Sequence, residues 1–327
     1  MIYKCKNCGG NAVYSPGKMK MYCPHCDGMD SEDIVQGGSV TQCVNCGAPI
    51  NVSRYTSSGR CEHCSSYIVF DERIAGEYEP HLILPFKVSK GLAADRLHVE
   101  FKKKTFLPSG FLSEKSLEKM EGMYVPFWLY DYQVRYDFVG QGTKVRRWVS
   151  GDTEYVETSY YDVIRKMDAD FDKVPADASI AMNDGEMDLM EPYYYQDLID
   201  FDPKFMSGFF GEIYNQSAQE LEDRARGKVR ESAENLMQQS INGYQTMKPV
   251  SRNIDMNRNG LQYALLPVWT YLFQYKGQTW RFHVNGQTGK VVGKTPVSRG
   301  KVLLYALSVF ASVSAFFYLA ISILEVL

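Results

Sequence analysis

The feature that most constrains this chain is a set of eight cysteines, all of which lie in Cys-x-x-Cys pairs near the N-terminus. The pairs are Cys5/Cys8, Cys23/Cys26, Cys43/Cys46 and Cys61/Cys64, with fourteen residues between the two pairs of each half. Two intervening residues allow a tight turn to direct both sulfurs at one ion. The spacing predicts two four-cysteine sites that each hold a structural Zn²⁺, with iron in a rubredoxin-like site as the alternative metal.

The two halves of this cysteine-rich region are similar in sequence. A shift of 38 positions, from Cys5 to Cys43, superimposes all four pairs. The other matched residues are Asn7 with Asn45, Gly9 with Gly47, and His25 with His63. We therefore predict an internal repeat of one zinc ribbon, over residues 1–34 and 39–72. So short a module cannot bury enough apolar area alone, and metal binding is expected to supply most of its folding energy.

A redox role for one cysteine pair is the main alternative within the ribbons. Residues 23–26 spell Cys-Pro-His-Cys, the active-site tetrapeptide of periplasmic thiol oxidants. Such a site needs a following helix to lower the thiol pKa, whereas Asp-Gly-Met-Asp follows here. His25 and His63 are redundant beside four sulfurs, and we expect them to be exposed. Because no cysteine is left over for a disulfide, a reduced, cytoplasmic location is expected, and the start of the chain has no apolar signal region.

The C-terminal end carries a long apolar segment. Residues 302–324 contain no charged side chain. As a helix they span about 34 Å, against a hydrocarbon core of about 30 Å. Lys294, Arg299 and Lys301 precede the segment, and the positive flank of a span stays in the cytoplasm. We predict a single-pass protein of the cell membrane with its N-terminal body cytoplasmic; a buried core helix is the alternative.

Small residues lie along one side of the predicted transmembrane helix. They are Ser308, Ala311, Ser312 and Ala315. Small residues at this spacing let helices approach closely in a membrane. The segment therefore also predicts helix–helix association, although an inert surface that faces lipid is an equal alternative.

The region between the ribbons and the apolar segment, residues 81–295, predicts a mixed α+β body. Apolar and polar residues alternate from Tyr124 to Phe138, and glycines at 140, 142 and 151 suggest turns between further strands, so we expect antiparallel β meanders. A long helical region is predicted from Phe205 to Tyr244. The bulky aromatic residues are expected in the core. The motifs Tyr124–Trp128 and Leu265–Trp269 share a pattern that suggests two related halves, at 81–170 and 205–295.

Signatures of catalysis and of other ligands are weak in this body. Residues 289–295 resemble a phosphate-binding loop but are one residue short, and Pro296 disfavours the helix that must follow. Asp168, Asp170 and Asp172 resemble the start of a calcium loop, yet Lys173 takes the place of the required glycine. Residues 152–202 hold 15 acidic side chains, which predicts a solvated acidic surface. We expect a protein that is not an enzyme.

The charge balance bears on nucleic-acid binding. The net charge is −3, and residues 1–79 hold seven Lys/Arg against nine Asp/Glu. Affinity for duplexes depends largely on neutralising phosphates, so we do not expect nucleic acid as a partner. The alternative function is a membrane-tethered nucleic-acid-binding protein of the replication or transcription machinery. It would bind single strands through aromatic side chains, for which the candidates are Tyr3, Tyr14, Tyr22, Tyr55 and Tyr67.

Three further motifs accompany the ribbons. They are Met123-Tyr-Val-Pro-Phe-Trp-Leu129, Glu191-Pro-Tyr-Tyr-Tyr195 and Asn285-Gly-Gln-Thr-Gly-Lys-Val-Val-Gly-Lys294. With them the chain resembles the TFIIB-type zinc-ribbon-containing membrane proteins of Gram-positive bacteria, over nearly its whole length. The resemblance implies a non-enzymatic adaptor or scaffold that recruits protein partners to the membrane. It also implies partners such as SPFH (flotillin-like) or phage-shock proteins, and a part in the envelope-stress response.

Overall fold

The computed structural model describes residues 1–37 and 40–326, and it has the predicted α+β architecture with mostly antiparallel strand pairing. Gly38 and Ser39, where the second ribbon was predicted to begin, lie outside the described residues. The strands are β1 (Ile2–Cys5), β2 (Val13–Ser15), β3 (Lys20–Tyr22), β4 (Glu32–Val35), β5 (Thr56–Arg60), β6 (Tyr67–Val69), β7 (Leu82–Ile83), β8 (Glu121–Ser150), β9 (Thr153–Asp177), β10 (Ile199–Asp200), β11 (Phe210–Glu212), β12 (Thr246–Tyr275), β13 (Gln278–Asn285) and β14 (Val291–Gly293). The α-helices are α1 (Lys90–Lys102), α2 (Glu114–Leu117), α3 (Asp184–Leu189), α4 (Ala218–Ser240) and α5 (Arg299–Val326).

The N-terminal ribbons are built into the rest of the protein. β2 and β3 form a small hairpin, and β1 pairs with β4. β4 overlaps the end of the predicted first ribbon, residues 1–34, and its pairing with β1 was not visible in so short a segment of the sequence. β5 pairs with β6 and also with β11, so the second ribbon extends the main sheet.

The main sheet has the strand order β10-β7-β12-β8-β11-β5-β6, with β9 paired to β8 and β13 to β12. β8 and β12 run antiparallel from the Glu121–Thr270 pair to the Thr143–Thr246 pair. β9 returns along β8 as a hairpin whose turn lies at Gly151, where φ is +61°. The outer parts of these three strands project from the sheet, and we call this projection the β arm. It consists of residues 130–150 of β8, 153–171 of β9 and 246–258 of β12.

The predicted alternation along β8 is confirmed in the arm. Tyr130, Tyr132, Val134, Tyr136 and Phe138 are buried, whereas Gln133 and Arg135 between them are exposed. Helix α4 covers the buried face with residues spaced three to four apart, and these are Ala218, Leu221, Ala225, Val229, Ala233 and Met237. The aromatic side chains of this stripe are therefore core, as expected, whereas Trp148, Tyr155 and Tyr160 further along the arm are exposed.

Helix α4 is shorter than the predicted helical region from Phe205 to Tyr244. Ser217 caps its N-terminus by accepting a hydrogen bond from the Glu220 N–H, while the Glu220 carboxylate accepts one from the Ser217 N–H. This reciprocal pair fixes the start of a helix. The preceding residues form a short 3₁₀ helix, Pro203–Met206, and the strand β11.

Two of the three glycines that suggested turns have a different role. Gly140 and Gly142 lie inside β8, which continues through them to Ser150. A Cβ on Gly142 would lie 2.5 Å from the Tyr244 ring, so the glycine makes room for an aromatic side chain. The predicted separate strands are consequently one strand of 30 residues.

The inner part of the sheet is covered on both faces. One face packs Phe86, Tyr124 and Trp269 against helix α1 and against Tyr14 of the first ribbon. The opposite face packs Val125 and Leu266 against helix α3 and the segment that follows it; the residues of those two elements are Met187, Met190 and Tyr193. The sheet is therefore the common support of the ribbons and the helices.

Helix α5 leaves the body instead of packing into it. Every side chain described from Arg299 to Tyr318 is exposed, and this stretch is long and apolar enough to cross a membrane. A core helix would bury at least one face, so the alternative of a buried core helix is wrong.

Candidate metal centres

Each predicted cysteine group forms one cluster. In both, the four sulfurs lie within 4.8 Å of one another. Two sulfur–sulfur distances in the first cluster are 3.6 Å for Cys5–Cys26 and 3.5 Å for Cys8–Cys23. Two in the second are 3.7 Å for Cys43–Cys64 and 3.8 Å for Cys46–Cys61. Sulfurs that surround one ion tetrahedrally with bonds of about 2.3 Å are about 3.8 Å apart. The donor sets therefore fit two metal ions, as the spacing predicted.

The two clusters are built from the same backbone turns. Gly9 N–H donates to the Cys5 carbonyl, and Gly47 N–H donates to the Cys43 carbonyl, both over 2.8 Å. Both glycines have φ of +72°, a conformation that disfavours residues with a Cβ. Glycine thus suits the turn that directs the two sulfurs inward, and Asp27 and Ser65 adopt the same turn after the second cysteine pairs.

The electrostatics of the thiols favour metal binding. Backbone N–H groups of Asn7 and Cys8 lower the pKa of the Cys5 thiol to about 7, which makes its thiolate accessible at neutral pH. Burial, together with the neighbouring thiols, raises the pKa of Cys43 to about 12. Several thiolates cannot coexist at such distances without a cation, and a bound metal displaces their protons.

An asparagine supports the second cluster from outside. The Asn45 side-chain amide lies 3.4 Å from the Cys64 sulfur and donates a 2.9 Å hydrogen bond to Ser66 Oγ. Its carbonyl oxygen accepts a 2.6 Å hydrogen bond from Lys4 of the first ribbon. The match of Asn45 with Asn7 in the sequence was the signal for this role, although the contact with Lys4 could not be read from it.

Further contacts attach the first ribbon to the body. The Tyr14 N–H donates to the Ser207 carbonyl over 2.8 Å, and Ser207 Oγ donates to the Ala12 carbonyl over 2.8 Å. Tyr14 also packs edge-on against Phe205, with 4.9 Å between ring centroids. Neither Ser207 nor Phe205 stood out in the sequence, because their partners are nearly 200 residues away.

Other candidate binding residues predicted from the sequence lie partly in the ribbons and partly in β9. His25 and His63 are exposed, as predicted, and are not needed as ligands beside four sulfurs. Tyr3 and Tyr14 are only 3% and 4% exposed, so neither can serve as a stacking platform for single-stranded nucleic acid. Asp168 and Asp170 lie in the extended strand β9 and form no calcium-binding loop.

Comparison with known proteins places the whole chain. No family model and no solved structure matches it. It is 30% identical to the uncharacterized protein YdjG of Bacillus subtilis (strain 168) over 336 aligned positions. The alignment covers 99% of this chain and 97% of YdjG, and therefore includes both cysteine clusters and the apolar helix. The chain belongs to the family of YdjG.

Proposed function

We propose that this protein is a zinc-binding, membrane-anchored cytoplasmic adaptor that recruits protein partners to the membrane and catalyses no reaction. The observation that carries the proposal is helix α5, an apolar helix with exposed side chains at the end of a well-packed body. An apolar surface of this length is stable in a bilayer and not in water. α5 is therefore the anchor, and the metal-bound ribbons and the sheet form the part that remains outside the bilayer.

Zinc is the metal that we assign to both clusters. Four cysteine sulfurs with no open position form a closed site, which is typical of structural zinc. The sites hold the ribbons together and fix the strands that join them to the sheet. Metal analysis of the purified protein should find two zinc ions per chain; the visible absorption of an iron–thiolate site would overturn the assignment.

The cytoplasmic orientation follows from the charges beside α5. Lys294, Arg299 and Lys301 are exposed before the apolar stretch. Positive residues next to a span are retained on the cytoplasmic side. This side is also reducing, which keeps the eight thiols available for metal. The same assignment makes α5 a single span of the cell membrane.

The tip of the β arm is the surface that we assign to protein partners. Trp148, Val149, Tyr155 and Val156 are between 41% and 70% exposed, beyond the region that α4 covers. Trp148 and Tyr155 stack across the hairpin with 5.5 Å between ring centroids. Exposed apolar groups on a rigid hairpin are typical of protein-binding surfaces. The resemblance to the TFIIB-type zinc-ribbon membrane proteins supports SPFH or phage-shock proteins as partners and a role in the envelope-stress response.

Affinity purification from detergent-solubilised membranes tests this proposal. The wild-type chain should retain a stoichiometric protein partner. The double variant with Trp148→Ser and Tyr155→Ser should lose it. Arg135→Ser with Asp168→Ser, which removes an exposed ion pair elsewhere on the arm, is the matched control and should retain it. A partner retained equally by both variants would show that the tip is not the binding surface. Salt-sensitive binding of nucleic acid tighter than micromolar would instead support the nucleic-acid-binding alternative.

A further inference from the structure

The surface around the first turns of α5 is formed by two other segments of the body. On one side, the Ser298 N–H donates to the Phe106 carbonyl over 2.8 Å, and the Phe106 ring packs edge-on against Tyr305 with 5.5 Å between centroids. On the other side, a cleft is lined by Tyr275 and Trp280 of the β12–β13 hairpin together with Arg299. Both segments therefore lie at the point where the helix leaves the body.

Positive charge is concentrated at this point. The chain has no aspartate or glutamate from Met256 to Leu324, and none in residues 101–113. The exposed cations of the surface, which we call the basic collar, are Lys102, Lys103, Lys104, Lys276, Arg299 and Lys301. Within the part of the chain that the structure describes, none of the six forms an ion pair with a carboxylate. Their charges are thus available to an external anion.

The collar contrasts with the charge of the rest of the protein. The net charge is −3, and 15 acidic residues lie between positions 152 and 202, along β9 and around α3. An anionic surface would therefore attract the protein at the collar and repel it along the acidic segment. The charge distribution alone favours one orientation of the body towards such a surface.

We propose that the basic collar, with the aromatic side chains of Phe106, Tyr275 and Trp280, binds the anionic phospholipid headgroups of the leaflet that α5 enters. This inference rests on the proposed role of α5 as a membrane anchor. Aromatic side chains favour the level of the headgroups, and each lysine near an anionic leaflet shifts the docking equilibrium about fivefold. The body then lies against the membrane in a fixed orientation and does not swing freely on its anchor.

The test uses the full chain in nanodiscs of zwitterionic lipid, with and without about 30% phosphatidylglycerol to supply anionic headgroups. Hydrogen exchange is followed at the backbone of residues 103–107 and 276–279. Anionic lipid should slow exchange in both segments, and about 0.5 M salt should abolish the difference because it screens charges beyond a few ångströms. A triple variant that combines Lys102→Gln, Lys103→Gln and Lys104→Gln should lower the docking equilibrium constant on the order of a hundredfold.

The matched control removes three cations from the tip of the β arm. It combines Lys144→Gln, Arg146→Gln and Arg147→Gln, and it should keep the slowed exchange of the wild type. If the control loses the slowing as well, or if exchange does not depend on the lipid, the collar proposal is wrong while the anchor stands. If the wild-type chain does not enter the discs at all, the anchor fails and the collar proposal fails with it.

Discussion

Arg224 of helix α4 donates a 2.7 Å hydrogen bond from Nη1 to Oδ1 of Asp177, a side chain with no exposed surface at the end of β9. The second oxygen of Asp177 is buried and has no hydrogen-bond partner among the described residues. Burial raises the pKa of this carboxyl, and Arg224 opposes that effect. The guanidinium is therefore the main group that keeps a buried carboxylate tolerable, and it also joins α4 to the sheet.

Removal of this guanidinium should strongly destabilise the protein. Arg224→Ala leaves Asp177 buried without its cation, and breaking such a pair lowers the free energy of unfolding by about 3–5 kcal/mol. Arg135→Ala breaks the exposed pair with Asp168 and should lower it by less than about 1 kcal/mol. Urea denaturation in detergent measures both values. Similar losses for the two variants would mean that the Arg224–Asp177 pair has no special role.

Loss of metal should affect more than the ribbons. β5, which ends one residue before Cys61, pairs with β11 of the main sheet. A strong chelator, or Cys61→Ser, should therefore speed hydrogen exchange in β5 and β11, since structural zinc supplies folding energy directly. Amides of α4, on the distant arm, should keep their protection. Unchanged exchange in β11 would show that the second ribbon folds independently of its metal.

His283 should make stability depend on pH. Its imidazole is buried, with Nδ1 3.1 Å from Thr270 Oγ1 and Nε2 3.5 Å from Glu186. Burial, together with Arg281, lowers its pKa from 6.5 to about 4. The unfolded chain therefore binds more protons than the folded one between these values, and stability falls as pH falls through that window.

The expected loss from this histidine is about 2 kcal/mol in the free energy of unfolding between pH 7 and pH 5. His283→Gln removes the titrating group, so the variant should lose about 2 kcal/mol less than the wild type over the same interval. Urea denaturation at the two pH values provides the comparison. Parallel losses in the two proteins would refute the assignment of this pH dependence to His283.

Membrane insertion should depend on the apolar surface of α5. Val313→Lys with Phe316→Lys places two charges near its centre, and each lysine there opposes insertion by about 3 kcal/mol. The variant should shift from the alkali-resistant membrane fraction towards the soluble or degraded fraction. Val313→Leu with Phe316→Leu is the control and should stay in the membrane. If the lysine variant behaves like the control, α5 is not the anchor.

Local signals in the sequence were sufficient for the two cysteine clusters and for several elements. The spacing of Cys5, Cys8, Cys23 and Cys26 predicts that short turns bring the four sulfurs together, and they lie within 4.8 Å of one another; the same holds for the second group. The alternation in β8 is local too, because a strand buried on one face shows it directly. The turn between β12 and β13 lies at Lys276–Gly277, where both residues adopt positive φ. A two-residue hairpin turn needs this conformation and glycine adopts it readily, so the glycine is a local signal too.

Long-range packing was not visible in the sequence. In the sequence Gly142 resembles a turn residue. Its actual role is to make room for the ring of Tyr244, which is more than a hundred positions away in the chain. The hydrogen bond between Tyr14 and Ser207 was equally invisible in the sequence, because a tyrosine or a serine alone does not indicate its partner. The boundaries of the second ribbon, 39–72, were drawn from the internal repeat, and those of the body, 81–295, from a change in composition. Neither signal shows the pairing of β5 with β11, which depends on where the chain returns.

The length of β8 sets the reach of this protein. Thirty residues in one strand, at about 3.3 Å each, extend for about 100 Å, several times the diameter of a small domain. A partner bound at the Trp148–Tyr155 end, as we propose, would be held at a set distance from the other end of the strand, which lies beside the ribbons. The arm then acts as a molecular spacer, and shortening it in register on β8, β9 and β12 would bring the two ends closer without altering either.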